Sequence, residues 1–136
     1  MPRWIDFHDS TIEAVCAEVQ HIGIRLRAYM HDWTLVGERW HGSGWSQPLV
    51  VRLRNAASGT VPVVPVGISS GWARVGATTH ENGMPVPFRA TERTKLSFRL
   101  VTAEILEIEG DGIDIEIVGE PRFVENLPDE LRPFND

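Results

Sequence analysis

The stretch Ile22-Gly23-Ile24-Arg25-Leu26-Arg27-Ala28-Tyr29-Met30 decides the fold. Ile22, Ile24, Leu26, Ala28 and Met30 fall on one side of a period of two; Gly23, Arg25, Arg27 and Tyr29 fall on the other. That alternation marks a half-buried antiparallel strand with a basic outer face. Upstream, Thr11 to Gln20 alternates at Thr11, Glu13, Val15, Ala17 and Val19, although its small residues also admit a short helix. Downstream, Trp33 to Trp40 predicts a third strand and His41-Gly42-Ser43-Gly44 a turn or loop. Leu49 to Arg54 alternates again, and Asn55 to Gly59 reads as a turn.

Later segments keep the rhythm. Val61 to Ile68 carries Pro62 and Pro65, which cannot donate to a ladder, so it belongs at an edge or bulge. Trp72 to Thr78 is placed to pair nearby, and His80 to Pro87, with Asn82-Gly83 and two prolines, reads as a loop. Leu96, Phe98 and Leu100 predict a strand continuing towards Glu104. Asp111-Gly112 then predicts a two-residue hairpin turn within Ile105–Val118. In that register Glu109 faces Asp114, Glu107 faces Glu116, and apolar residues meet on the other face. Phe123-Val124 is expected to add a last pairing, and Pro128 to Leu131 a single helical turn. Short strands at this spacing predict a mainly β fold, an antiparallel β-sandwich or partly open β-barrel with at most one or two short helices.

With 136 residues, the chain fits one domain, 1–136, large enough to bury its own core. An apolar fraction of 42% excludes intrinsic disorder. No apolar run approaches the roughly 18 residues of a membrane span, and no signal-like segment opens the chain, so a cytoplasmic location away from membranes is expected. The single cysteine, Cys16, excludes an intrachain disulfide framework and any multi-cysteine zinc site, and its apolar alternation predicts a small buried side chain.

Charge is uneven. Residues 1–103 carry a net +3 and residues 104–136 a net −9. Such an acidic segment repels phosphate backbones, which argues against nucleic acid. Glu107, Glu109, Asp114 and Glu116 would place like charges opposite one another on a hairpin, which is destabilising unless something cationic lies close. That neighbour is one of Arg25, Arg27, Arg52, Arg54 or Arg99 on an adjacent strand, a basic protein partner, or a divalent cation; a plain solvated edge is the fourth reading.

Motifs for catalysis are absent. His8-Asp9 and His31-Asp32 repeat a pair, but neighbours on a strand face opposite ways, and no ligand spacing for a metal emerges. His8 is expected in a turn, with Asp9 or Ser10 accepting local backbone N–H groups and opening the next element. Ser43 in Gly42-Ser43-Gly44 is no nucleophile elbow. No catalytic residue, metal or cofactor is therefore assigned. Among five tryptophans, Trp33 and Trp72 are expected in the core; Trp40 and Trp45, flanking glycines, are candidates for an aromatic-lined mouth of a small-ligand-binding barrel.

The segment Trp4-Ile5-Asp6-Phe7-His8-Asp9-Ser10, through its Phe-His-Asp-Ser core and the strands that follow, resembles small bacterial β-domains, some similar to immunity proteins against polymorphic toxins. The resemblance implies binding in place of catalysis, with an acidic surface offered to a basic nuclease. The expectation is thus a non-enzymatic module engaging a basic partner through Glu107, Glu109, Asp114 and Glu116. Self-pairing through an exposed edge offers a route to a homodimer.

Overall fold

Ile22, Ile24, Leu26, Ala28 and Met30 are all 5% exposed or less, so the alternation that sets the strand also sets its inner face. The computed structural model describes residues Arg3–Arg132; Asp136, the last acid of the acidic segment, lies outside them. The described residues form twelve strands: β1 Arg3–Ala17, β2 His21–Val36, β3 Arg39–Arg54, β4 Ala57–Ser58, β5 Val66–Val75, β6 Thr78–Glu81, β7 Gly83–Pro85, β8 Phe88–Ala90, β9 Thr94–Leu100, β10 Ile105–Gly110, β11 Ile113–Ile117 and β12 Arg122–Leu127. A 3₁₀ turn, Asp129–Leu131, follows Pro128, where a helical turn is expected from sequence.

Every pairing is antiparallel. One layer holds β1, β2, β3, β11 and β8, with β7 on β1 and β12 on β3; the other holds β6, β5, β9, β10 and β4. The layers join on one side where β1 meets β5 at Thr11–Gly67 and Ile12–Val66. On the other side two ribbons cross the corner together, β3 into β4 and β10 into β11. The Asp111 N–H donates to the Arg54 carbonyl at 2.7 Å there. The result is a partly open barrel flattened into two layers. Phe7, Ile24, Leu26, Leu49, Leu53, Leu96, Phe98 and Leu100 fill the space between them, with Phe7 edge-on to Phe98 at 5.1 Å.

Several local expectations are corrected. Ile105–Val118 is not a hairpin: β10 pairs with β9 and β4, while β11 pairs with β3 and β8. Asp111-Gly112 is a corner, with Gly112 at φ 138°, so the segment bends between layers and does not fold back on itself. Glu109 therefore lies opposite Lys95 and Asp114 opposite Arg52 and Arg89. Trp33 to Trp40 is no single strand, since β2 ends at Val36 and turns at Gly37 into β3. His41 to Gly44 lies inside β3, paired with β2 throughout and with β12 from Gly42 to Gly44. His80 to Pro87 contributes two short strands, and β9 stops at Leu100.

β1 departs from simple alternation because its register shifts twice, between Asp6 and Thr11 and between Ile12 and Ala14. Each shift flips the inward face. Ile5 and Phe7 point in, then Ser10 and Ile12, then Val15, which leaves Cys16 exposed.

Candidate functional site

The outer face of β2 changes character along its length, from Arg25 and Arg27 to Tyr29, His31 and Trp33. Gly42 and Gly44 on β3 make that aromatic end possible. Gly42 is the direct partner of Trp33, and a Cβ there would come within 2.5–2.7 Å of the indole ring. A Cβ on Gly44 would collide with the Tyr29 phenol. Both rings thus lie down across bare backbone, a close approach only glycine permits.

Two other strands deliver three carboxylates to this face. β1 places Asp6 opposite Tyr29, and its Oδ2 lies 3.7 Å from His31 Nε2. The Phe7–Ser10 bulge carries Asp9 at φ 73°, a backbone state that Asp tolerates better than most residues. β12 pairs Glu125 with Gly44, and the Tyr29 hydroxyl donates to Glu125 Oε2 over that glycine. His31 stands edge-on to Tyr29 at 5.3 Å.

Ser10 fixes the bulge. Its hydroxyl donates to the Asp6 carbonyl at 2.6 Å and accepts the Tyr29 N–H at 3.0 Å, and the residue is buried. The expectation that Asp9 or Ser10 accepts local backbone N–H groups is corrected: Ser10 donates locally, and the N–H it accepts is that of Tyr29 on β2. His8, beside it, stands at the exposed corner, with Nδ1 against the Ser69 carbonyl at 3.1 Å and Nε2 3.5 Å from Asp9.

The row of Asp6, Tyr29 and His31 separates two adjoining depressions. One, of about 380 Å³, is lined by Trp4, Asp6, His31, His80, Glu81 and Leu131, among others. The second, of about 190 Å³, includes Asp9, Tyr29, Ser46 and Val124. The Trp4 indole nitrogen is buried at the first, with no hydrogen-bond partner. Burial, reinforced by the Asp9 charge and opposed by His8, pushes the Asp6 carboxyl up to about 6. Burial lowers the His31 imidazole, against the pull of Glu125 and Asp9. Burial and then the bond to Glu125 hold the Tyr29 phenol well above the usual tyrosine range. The face therefore carries negative charge over aromatic rings, beside a largely neutral histidine. Among the described residues no Lys or Arg forms an ion pair with Asp6, Asp9 or Glu125.

The acids singled out from sequence are placed differently. Glu107 and Glu109 lie on the outside of β10 and Asp114 and Glu116 on β11, in different layers. Lys95 Nζ lies 3.8 Å from Glu107, Arg93 lies 3.6 Å from Glu109 and 2.8 Å from Asp111, and Arg52 lies 2.9 Å from Glu116. Of the cationic neighbours considered from sequence, Arg52 is the one that meets an acid of this group.

Trp40 and Trp45 sit five residues apart on one strand and so face opposite ways. Trp45 packs inward against Phe123 and lines a small cavity with Arg3, Met30, Asp32, Gln47 and Pro121; Trp40 borders a separate depression with Glu38, Arg39 and Asp129. Trp33 is fully buried, but Trp72 is half-exposed on the outside of β5 beneath Arg74.

Asp6, Tyr29, His31 and Glu125 were not marked as a site by sequence. The available signal was Gly42-x-Gly44 read as strand: the turn at Gly37 then sets Gly42 opposite Trp33 and Gly44 opposite His31. Among the described residues no group of three or more His, Cys, Asp or Glu side chains is placed to hold a metal ion. No described helix is long and apolar enough to cross a membrane. The chain matches no family model, no curated protein sequence and no solved structure.

Proposed function

We propose that this chain is a non-enzymatic binding module for a basic protein partner, of the immunity-like kind, and that it receives that partner on the acid–aromatic face of β1, β2, β3 and β12. One observation carries the reading. Asp6, Asp9 and Glu125 converge beside Tyr29 and His31 without an Arg or Lys ion-pair partner among the described residues, whereas Glu107, Glu109 and Glu116 each have one. Unmatched carboxylates attract a basic surface over long range, and aromatic walls hold the alkyl stem and cation of an Arg or Lys that enters. Ion-paired acids on a sheet exterior add little to such a field.

The test compares two variants that stay folded. One is Asp6→Asn, Asp9→Asn and Glu125→Gln combined; the other is Glu107→Lys, Glu109→Lys, Asp114→Lys and Glu116→Lys combined. A basic protein captured from host lysate, then purified, is followed by association kinetics at several salt concentrations. The first variant is expected to associate more slowly with a flatter salt dependence, and the second to change less. If the ranking reverses, the partner surface is the β10–β11 ribbon. If neither variant alters the kinetics, the electrostatic reading fails.

A further inference from the structure

We propose that the larger depression beside Asp6 receives a single arginine side chain of the basic partner, a proposal that rests on the acid–aromatic face being where that partner docks. The depression, of about 380 Å³, lies between β1, β2, the elbow joining β6 to β7, and the 3₁₀ turn after Pro128. One water needs roughly 10–15 Å³, so a whole arginine side chain fits there with part of its flanking backbone.

The walls are held from both layers. Asn82, at φ 58°, turns β6 into β7. Its N–H donates to the Gly71 carbonyl of β5 at 2.7 Å, and its own carbonyl accepts the Phe7 N–H of β1 at 3.0 Å. The elbow that carries His80 and Glu81 is thus fastened before any ligand arrives, and His80 stands edge-on to Phe88 at 5.5 Å. On the other side, Trp4 and His31 are cross-strand partners of β1 and β2. Prior ordering of this kind lowers the entropic cost of binding.

Charge selects a cation. Asp6 and Glu81 both line the depression, and neither forms an ion pair with Lys or Arg among the described residues. Solvent reaches both carboxylates, and so can a ligand: the Asp6 side chain is 27% exposed, and Glu81 is exposed. Burial lowers the His31 imidazole, so it offers a neutral ring that does not repel a cation. Shape then selects arginine. The two acids stand on separate strands, and among the described residues no three His, Cys, Asp or Glu side chains converge as a metal ion requires. A compact charge, such as a metal ion or a lysine ammonium, is best held by converging acceptors. A guanidinium spreads five N–H donors over a plane and reaches acceptors on two walls at once. Its flat faces stack on the rings of Trp4, His31 and His80, and Leu131 offers apolar surface to the alkyl stem.

The experiment titrates the full-length protein with N-acetyl-L-arginine methylamide at pH 7 while recording ¹H–¹⁵N NMR spectra, with the lysine and citrulline counterparts as separate probes. Citrulline keeps the shape of arginine without its charge; lysine keeps the charge without the plane. The Asn82 and Gly83 amides are expected to shift saturably with the arginine probe, with a dissociation constant in the millimolar range. The lysine probe is expected to bind at least about threefold more weakly, and the citrulline probe at least about tenfold. Asp6→Asn and the exposed Glu81→Gln are each expected to weaken the arginine probe at least about threefold, and Glu81→Gln to speed dissociation of the captured partner by a similar factor. Absence of a saturable shift, equal affinity for the lysine or citrulline probe, or unchanged affinity in Glu81→Gln would overturn the assignment. The captured partner separates this failure from failure of the face. Slower association with Asp6→Asn, Asp9→Asn and Glu125→Gln combined, but unchanged dissociation with Glu81→Gln, keeps the face and overturns the arginine pocket. No effect of either variant on the partner overturns both.

Discussion

The hydroxyl of Tyr29 reaches Glu125, ninety-six residues away in the chain, by passing over the bare backbone of Gly44. Gly44 is paired with His31 on one side and Glu125 on the other, so one missing Cβ lets β2 and β12 meet across β3. Gly44→Ala is therefore expected to destabilise the fold by about 1–3 kcal/mol, the usual cost of overpacking a fitted site. It is also expected to break the Tyr29–Glu125 bond. Chemical denaturation measures the first effect; an unchanged stability would mean the phenol has room to move aside.

Tyr29 is the only tyrosine, so an ultraviolet pH titration of the native protein reads it without ambiguity. Its phenol is held above the usual value of about 10. A folded-state pKa raised above the unfolded one means that this group's contribution is intact below about pH 10 and is lost as pH climbs towards the folded value. The native transition is expected to lie well alkaline of the denatured one. Glu125→Ala should draw it back part of the way, leaving the part due to burial, which is the larger cause. A native midpoint equal to the denatured one would remove the Tyr29–Glu125 contact from the description.

Ser10→Ala is expected to cost about 1–3 kcal/mol, because it leaves the Tyr29 N–H and the Asp6 carbonyl without their buried partner. The Tyr29 amide should then exchange with solvent faster than its neighbours Ala28 and Met30. Uniform loss of protection along β2 would instead indicate global destabilisation, with no special role for the bulge.

How much of this was readable beforehand divides by cause. β2 was legible because one uninterrupted alternation runs through Ile22, Ile24, Leu26, Ala28 and Met30, and the strand is buried on one side only. β1 was not, because two bulges flip its inward face and no local residue announces them. At Asp111-Gly112 the same apolar alternation suits a hairpin or a ribbon bent between two layers. Partners far away in sequence, Leu53 for Ile113 and Phe98 for Leu106, decided the matter. The site depended on those long-range choices: Glu125 comes from a strand whose place on β3 local pattern could not fix. The separation of Trp45 from Trp40 followed only once His41 to Gly44 proved to be strand.

The β10–β11 ribbon supplies a contrast. Arg93 bridges Glu109 and Asp111 at an exposed position, and with Asn55 it holds the Asp111 carboxyl below the usual range. Exposed pairs of this kind add little to stability, so Arg93→Ala should shift the denaturation midpoint little. Gly112→Val should cost more than 1 kcal/mol, since φ 138° is strained for a β-branched residue and its Cβ would crowd Arg54 and the Ala90 carbonyl. A ribbon more sensitive to Arg93 than to Gly112 would show that charge, not backbone geometry, holds the corner.

Asp6 separates stability from binding. Its folded pKa of about 6 lies above the ordinary 3.8, so its favourable contribution is complete below about pH 4 and is lost as pH rises through 6. His31 runs the other way: its lowered pKa leaves its contribution intact above 6.5 and erodes it as pH falls below that value. The two partly cancel between those limits. Asp6→Asn removes the first and leaves the second. At about 1.4 kcal/mol per unit, discounted for the solvent that still reaches the carboxyl, the variant should be more stable by about 1–2 kcal/mol at pH 7, with the gain vanishing near pH 4. The same substitution should weaken a basic partner. Denaturation at both pH values, set beside association kinetics, tests the pair of expectations. A carboxylate that costs stability at neutral pH and strengthens binding is placed for its ligand. If Asp6→Asn instead destabilises the protein at pH 7, the contact with His31 is structural, and the acid–aromatic face loses its claim to be the partner site.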